Sequence, residues 1–338
     1  MKNRAWIGKS LTVLRQEEAE RAETPVHEIV LSKSPKVSLF VKDESTHPSG
    51  SLKHRLASRL FLDAICNGSI REGATVVEAS SGSTAISEAY FSRLLGLGFI
   101  AVVTRSTSPA KVQAILEAGG ECHYVDEPGQ VYAEAELIAS RLDGYYMDQF
   151  THAERVMPWS TETCMPAILM RQLAERGVTA PDWFVIGAGT GGTSATMGRY
   201  LRYANLSTKL CVVDPVGSVF AEAYATGCRD LISAGSNVEG IGRPRVEPSF
   251  VPEVIDRMMT ISNADTISGM HRLSALLGAQ VGPSTGTAMA GVLLLADELI
   301  AAGRSAALVT VVCDGGDRYR DTYYNDEWVA NNLSFASV

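Results

Sequence analysis

Ser49-Gly50-Ser51-Leu52-Lys53-His54-Arg55-Leu56-Ala57 follows a predicted strand over 37–45 and runs into a predicted helix. Leu52, Leu56, Leu60 and Ala64 recur every four residues, with Ala57, Phe61 and Ile65 beside them, so the apolar face has helical period. Asn67-Gly68 supplies the stop, because glycine accepts the left-handed backbone that a helix end needs. Lys53 is thereby placed in a first turn, at a strand-to-helix junction. A cation there opposes the helix dipole. The same setting helps a lysine lose its proton, and a neutral lysine amine can form a Schiff base. Alone, Lys53 reads as one more solvated surface lysine; the rest of the chain decides.

Working outward, 10–22 reads as a helix that Thr24-Pro25 breaks. Past the Lys53 helix come a strand over 74–80, a turn over 80–84, and a helix whose apolar face carries Ile86, Ala89, Tyr90 and Leu94. The apolar run 99–104 suits a buried parallel strand. Ser108-Pro109 opens a helix that Gly119-Gly120 closes. A short strand over 122–125 and a helix over 130–142 follow. Around 148–152 the pattern turns irregular, which suggests a domain crossing. Helix resumes over 165–176, then strand 183–186, a glycine-rich loop 187–193, helix 194–203 and strand 210–213. Residues 215–253 are rich in Gly and Pro and read as loops around a site. A helix over 266–277, a turn into a helix at 281–287 and a last strand over 308–313 complete the chain. Strands alternating with helices argue an α/β protein with parallel sheets.

The 338 residues are 46% hydrophobic and 20% charged, an ordinary globular composition with room for two lobes. A formal net charge of -8 disfavours sequence-independent nucleic-acid binding, which rests on neutralising phosphates. The N-terminus lacks the apolar core of a signal peptide. The apolar stretch 288–302 is interrupted by Asp297-Glu298 and reads as too short to span a bilayer. Six scattered cysteines form no C-x-x-C pair, and several lie in apolar runs, so buried thiols and a cytoplasmic protein without structural disulfides are expected. The six histidines have no ligand spacing, which argues against a metal site.

Three loops rich in Gly, Ser and Thr precede helices, at 80–84, 187–193 and 282–287. A helix N-terminus presents backbone N–H groups and a positive dipole end, so it holds anions. Three such loops and one lysine suggest a phosphate-bearing cofactor, an anionic substrate and a covalent anchor. The middle loop, Gly187-Ala188-Gly189-Thr190-Gly191-Gly192, also satisfies G-x-G-x-x-G after a strand, and Asp214 ends the next strand as a ribose-binding acid does. A nicotinamide-dependent dehydrogenase therefore competes. It leaves Lys53 and the 80–84 loop without a role, and it ranks second for that reason. A non-catalytic scaffold leaves the whole set without a role.

Ser51-Leu52-Lys53-His54-Arg55, Ser80-Ser81-Gly82-Ser83-Thr84, Gly189-Thr190-Gly191-Gly192-Thr193 and Pro283-Ser284-Thr285-Gly286 resemble, in order, the signatures of the cysteine synthase/cystathionine β-synthase family. Asp148-Gln149-Phe150, Glu239-Gly240-Ile241-Gly242 and Asp317-Arg318-Tyr319 match further segments, so the resemblance covers roughly 10–328. KDESTHPSGSLKHRLA and EGIGRPRVEPSF are most similar to the L-cysteine desulfhydrase branch. The family consists of fold-type II pyridoxal-phosphate enzymes, tryptophan synthase β-like, with two α/β lobes and the cofactor in the cleft between them.

The resemblance implies that Lys53 is the covalent anchor and the base. Gly189, Thr190, Gly191, Gly192 and Thr193 would bind the cofactor phosphate, Ser284 would face the pyridine nitrogen, and Ser83 would lie at the cofactor ring. A hydroxyl at the nitrogen leaves it uncharged, a weaker electron sink that suits elimination at Cβ. Ser80, Ser81, Thr84 and Gln149 would hold the substrate carboxylate. The chain departs from the family at Ser83, where asparagine is usual. Arg243 and Arg245 fall in a loop expected at the site mouth, as attractors of an anionic substrate or as surface or subunit-contact residues. The implied activity is β-elimination, cysteine to hydrogen sulfide, pyruvate and ammonia, with a β-replacement synthase as the alternative on the same residues. The implied lobes are 46–156 with part of 1–23, and 24–45 with 157–338. The implied partners are a small amino-acid substrate and a second copy of the chain in a homodimer, with no nucleic acid and no membrane.

Overall fold

The computed structural model describes residues 4–31 and 36–333. In chain order the elements are α1 (Arg4–Glu20), β1 (Val26–Val30), β2 (Val37–Asp43), α2 (Lys53–Cys66), β3 (Thr75–Glu78), α3 (Ser83–Leu95), β4 (Gly98–Thr104), α4 (Pro109–Ala118), β5 (Glu121–Val125), α5 (Val131–Arg141), β6 (Tyr145–Tyr146) and α6 (Gln149–Val156). They continue with α7 (Met165–Ala174), β7 (Trp183–Gly187), α8 (Gly192–Tyr203), β8 (Lys209–Pro215), α9 (Phe220–Thr226), β9 (Arg257–Ile261), α10 (Asn263–Leu277), α11 (Pro283–Ala301), β10 (Ala306–Val312) and α12 (Asp326–Asn332).

The chain forms two compact units. One takes the residues up to Glu23 and His47–His152; the other takes Thr24–Thr46 and everything from Ala153. The first holds a four-stranded parallel sheet, order β5-β4-β3-β6. Val77, Ala79, Val102, Ala135, Ile138 and Ala139 pack α5 onto it. The second holds a six-stranded sheet, order β1-β2-β10-β7-β8-β9. Its strands run parallel except β1, which pairs antiparallel with β2, Val26 opposite Lys42. Near-continuous apolar runs such as AALVTVV in β10 and KLCVV in β8 read as strands covered on both faces, and both faces are covered. Leu308, Val185 and Val213 meet α11 on one side, while Val309, Ile186 and Val212 lie with residues of α7, α8 and α9 on the other.

Several sequence expectations change here. The strand before Lys53 and the helix that carries it belong to different units, because the chain crosses between Thr46 and His47. The turn is made by Gly50, left-handed at φ 74°, whose N–H reaches the His47 carbonyl at 2.7 Å. The irregular stretch 148–152 is the start of a helix, α6, and the second crossing lies within it. Strands β1, β6 and β9 and helices α9 and α12 lie outside every predicted element. The apolar segment at 288–302 starts earlier, at Pro283. The 19-residue α11 is by length and composition long enough to cross a membrane, and 67% of its apolar window is buried within the protein. None of the six cysteines is in a disulfide; only Cys164 and Cys211 are buried, while Cys66 and Cys228 are exposed.

Candidate active site

In the first unit Lys53 is the opening residue of α2, half-buried, its N–H directed to Ser51 Oγ at 3.3 Å. Ser83 opens α3, after an extended Gly82. Ser80 Oγ accepts the Gly82 N–H at 3.3 Å and closes the turn. Thr84 is buried and donates its hydroxyl to the side-chain oxygen of Gln149, 2.7 Å away. Asp148 stands left-handed at φ 47°, a conformation aspartate tolerates, and its carboxylate accepts the Thr151 N–H at 3.3 Å. That turn aims Gln149 back at α3. Ser80, Ser81, Ser83, Thr84 and Gln149 therefore form one polar rim at a helix N-terminus, suited to a carboxylate.

Beneath this rim lie groups that the sequence reading missed. Glu78, at the end of β3, is fully buried and accepts two backbone N–H groups, Ala79 at 2.8 Å and Gln149 at 3.1 Å. Glu88, one turn beyond Thr84 on α3, is fully buried too. Burial pushes Glu78 up to about 8, with Asp148 adding to the rise and Lys53 opposing it. Burial and then Glu78 hold Glu88 well above the carboxylate range. Between the ordinary glutamate range and about pH 8 the folded chain thus holds more protons than the unfolded one, so stability falls as pH rises through that window. Denaturant titrations from pH 5 to 9, values set around that window, should show the slope in the wild type and a flatter one in Glu78→Gln. An unchanged slope would remove Glu78 as its origin.

A second network adjoins Lys53. His54 is buried, with Nε2 2.7 Å from Glu17 and Nδ1 3.0 Å from Ser49 Oγ. Ser49 Oγ meets Ser87 Oγ at 2.8 Å, and Ser87 donates to the Ser83 carbonyl at 2.9 Å. Burial lowers the His54 pKa against the pull of Glu17, and the His54 hydrogen bond and charge lower that of Glu17 against its own burial. Nε2 of His54 and the Glu17 carboxylate are thus hydrogen-bond partners in a buried setting. This ties α1, α2 and the start of α3 together. The face of α3 marked as apolar from sequence, through Ile86, Ala89, Tyr90 and Leu94, leaves Leu94 exposed, while Glu88 and Ser92 on the opposite face, with Ser87 at its edge, are buried.

In the second unit the 187–193 loop ends in α8. A side chain at Gly189 would place its Cβ 2.2 Å from the Gly240 carbonyl oxygen. Gly191 is left-handed at φ 91°, and a Cβ there would lie 2.5 Å from the Ser249 carbonyl oxygen. Only glycine fits, and the loop leads into the first turn of a 12-residue helix, whose N–H groups have no carbonyl partner within the helix itself. The Thr190 hydroxyl accepts the Gly192 N–H at 3.1 Å, and Ser194 caps the Gly191 carbonyl at 2.9 Å. Thr193 is half-buried between them. Ser284 sits in the first turn of α11, buried, and its Oγ is 3.7 Å from where a Gly240 Cβ would stand. Gly189, Gly240 and Ser284 are thus one continuous wall. The donor set fits a phosphate dianion with a hydroxyl close by, as pyridoxal phosphate requires.

The dinucleotide reading fails at Asp214. That side chain is fully buried, and its carboxylate accepts the Ala221 N–H at 2.8 Å within its own unit. Burial lifts its pKa to about 6. A ribose-binding acid needs an accessible carboxylate at the strand end. Arg243 and Arg245 are also reassigned: their guanidinium groups lie 2.8 and 3.1 Å from the two oxygens of Glu247, which is fully buried. Their charge neutralises that acid. Glu247→Gln should cost about 1.5–3 kcal/mol by denaturant unfolding, the scale of hydrogen bonds to a charged group, since the arginines left behind are partly exposed. A loss below 1 kcal/mol, the range of an exposed pair, would show that the arginines serve another purpose.

A family model for "Pyridoxal-phosphate dependent enzyme" matches residues 18–314. The chain belongs to this family of pyridoxal-phosphate enzymes. L-cysteine desulfhydrase Cds1 of Mycobacterium tuberculosis is 49% identical over 333 residues, covering 97% of this chain and 90% of the relative. Cysteine synthase 1 of Neurospora crassa is 30% identical over 309 residues, covering 88% and 80%. A hydrogen sulfide-producing enzyme of Fusobacterium nucleatum superposes with a TM-score of 0.81 at 23% identity, covering 97% and 98%, which is a likeness of fold. As a pyridoxal-phosphate enzyme, this protein adopts the α/β fold of its structural neighbours, helices flanking parallel sheets.

Proposed function

We propose that the protein is a carbon–sulfur lyase that converts L-cysteine and water to hydrogen sulfide, pyruvate and ammonia. The observation that carries this reading is the extent of the likeness to an L-cysteine desulfhydrase, 49% identity along 97% of the chain. In this reading the N–H groups and hydroxyls at 189–193 hold the cofactor phosphate. Ser284 would be the neutral partner of the ring nitrogen, and Ser83 would be a further residue for the ring. When bound, pyridoxal phosphate withdraws electrons from the substrate Cα and so makes its proton removable.

The chain's own residues do the rest. Ser80, Ser81, Thr84 and Gln149 orient the substrate through its carboxylate, the Thr84–Gln149 bond fixing the amide so that its N–H₂ faces outward. Lys53 is the covalent anchor for the cofactor in its resting form. With substrate bound, its amine takes the proton from Cα, its reach set by the first turn of α2. Thiolate then departs from Cβ. The protein is further read as cytoplasmic, on its scattered unpaired cysteines, and as a homodimer, on the family resemblance; sedimentation of the purified protein checks the dimer.

A β-replacement synthase uses the same residues, and the likeness to cysteine synthase 1 favours it as the second reading. The test is purified holoenzyme given L-cysteine alone. Sulfide and pyruvate in equal amounts support the lyase. Sulfide without pyruvate, or turnover only when a second nucleophile is added, overturns it in favour of the synthase.

A further inference from the structure

We propose that Glu78 and Glu88 form a protonated acid pair behind the carboxylate-binding rim, and that loss of its first proton weakens binding of the amino-acid substrate. The proposal rests on the reading of Ser80, Ser81, Thr84 and Gln149 as the carboxylate site.

The geometry is specific. Glu78 Oε1 and Oε2 accept the N–H groups of Ala79 and Gln149, one residue before Ser80 and at the rim glutamine itself. Glu88 follows Thr84 by four residues on α3, so both lie on one helix face. Neither Glu88 oxygen has a hydrogen-bond partner of ordinary geometry among the described residues, and both are fully enclosed. A bare carboxylate in that position is untenable, so Glu88 keeps its proton and directs it toward the neighbouring Glu78 carboxyl. Glu78, held by two backbone donors, is the member that ionises first. The charged groups acting on Glu78 are Asp148 from the turn before α6 and Lys53 from α2; those acting on Glu88 are Glu78 from β3 and Lys53. Burial places the first proton loss near pH 8. A negative charge then appears directly behind the site that takes a negative substrate group, in a poorly screened interior.

The consequence is a split between KM and kcat. In the wild type, KM for L-cysteine should rise about tenfold as pH passes through the pair's titration, a repulsion of the order that like charges show in a poorly screened interior. Titration of the substrate's own thiol and amine is common to all variants, so the comparison between them isolates the pair. In Glu78→Gln the excess rise should vanish. Glu88→Gln keeps an amide donor toward Glu78 and should behave as wild type. Glu88→Leu removes the donor that stabilises ionised Glu78 and should displace the rise to higher pH. The companion readout needs no turnover: infrared difference spectra of the cofactor-free protein across the same pH range should lose a protonated-carboxyl band in the wild type and lack that change in Glu78→Gln.

Absence of the band change overturns the acid pair whatever the enzyme does. A band change with identical KM profiles in wild type, Glu78→Gln and Glu88→Leu overturns the link to substrate binding. Failure to release sulfide and pyruvate in any variant, with the band change intact, strikes the proposed reaction and leaves the acid pair standing.

Discussion

Replacing Lys53 by alanine is expected to lower sulfide release from L-cysteine by about 10⁴-fold or more, the scale lost when a nucleophile and base is removed. Folding should survive. Lys53 opens α2 with its positive charge at the positive end of the helix dipole. Alanine removes that repulsion and has the better helix propensity. In the cofactor-free protein, where the Lys53 amine is not tied up, the melting temperature should therefore stay level or rise by a degree or two, a gain of about 0.3–1 kcal/mol. Loss of turnover without loss of stability separates a chemical role from a structural one. Partial recovery with an added small primary amine would strengthen the assignment, since the missing group is then supplied from solution. Wild-type turnover by Lys53→Ala without added amine would exclude Lys53 as anchor and base, and with it the mechanism proposed above.

Gly189→Ala is expected to yield protein that purifies without pyridoxal phosphate and unfolds at lower temperature. The obstacle is steric. An alanine Cβ would lie 2.2 Å from the Gly240 carbonyl oxygen, which is backbone and cannot swing aside like a side-chain tip. Gly240 is itself left-handed at φ 86°, so the segment has few other conformations to move into. It also neighbours Ser284, so a shift there disturbs the phosphate loop and the proposed ring-nitrogen partner together. Overpacking of this kind costs about 1–3 kcal/mol or more. Gly129→Ala is the matched control, because a Cβ there meets nothing within 4 Å. Cofactor absorbance and melting temperature read both effects. Wild-type values for Gly189→Ala would mean that the 187–193 loop yields easily and is no rigid cradle.

The ordered motifs around Lys53, the 80–84 turn, the 187–193 loop and Ser284 were legible in the amino-acid sequence, because each is a local event. A helix start, a glycine turn and a buried strand are written in adjacent residues. The alternation that marks an α/β chain is local in the same sense, and so α2, α3, α4, α8 and α11 emerge close to their observed bounds. What the sequence left open depends on contacts between residues far apart in the chain. The G-x-G-x-x-G pattern and Asp214 suit a dinucleotide equally well until Asp214 is seen buried against its own loop, bonded to Ala221. Arg243 and Arg245 read equally as attractors of an anionic substrate and as surface or subunit-contact residues until both are seen on buried Glu247. Glu78 and Glu88 carried no mark in the sequence, since nothing within a few residues reports complete burial. Strand β1 pairs with β2 across Leu31 and Lys36, a pairing that no periodicity in five residues reveals. The sequence by itself determined which backbone turns and side-chain chemistries this protein presents. The tertiary structure decided which charges are neutralised, which carboxyls keep their protons and which groups remain to meet a substrate, because desolvation acts only once distant segments have closed around a residue.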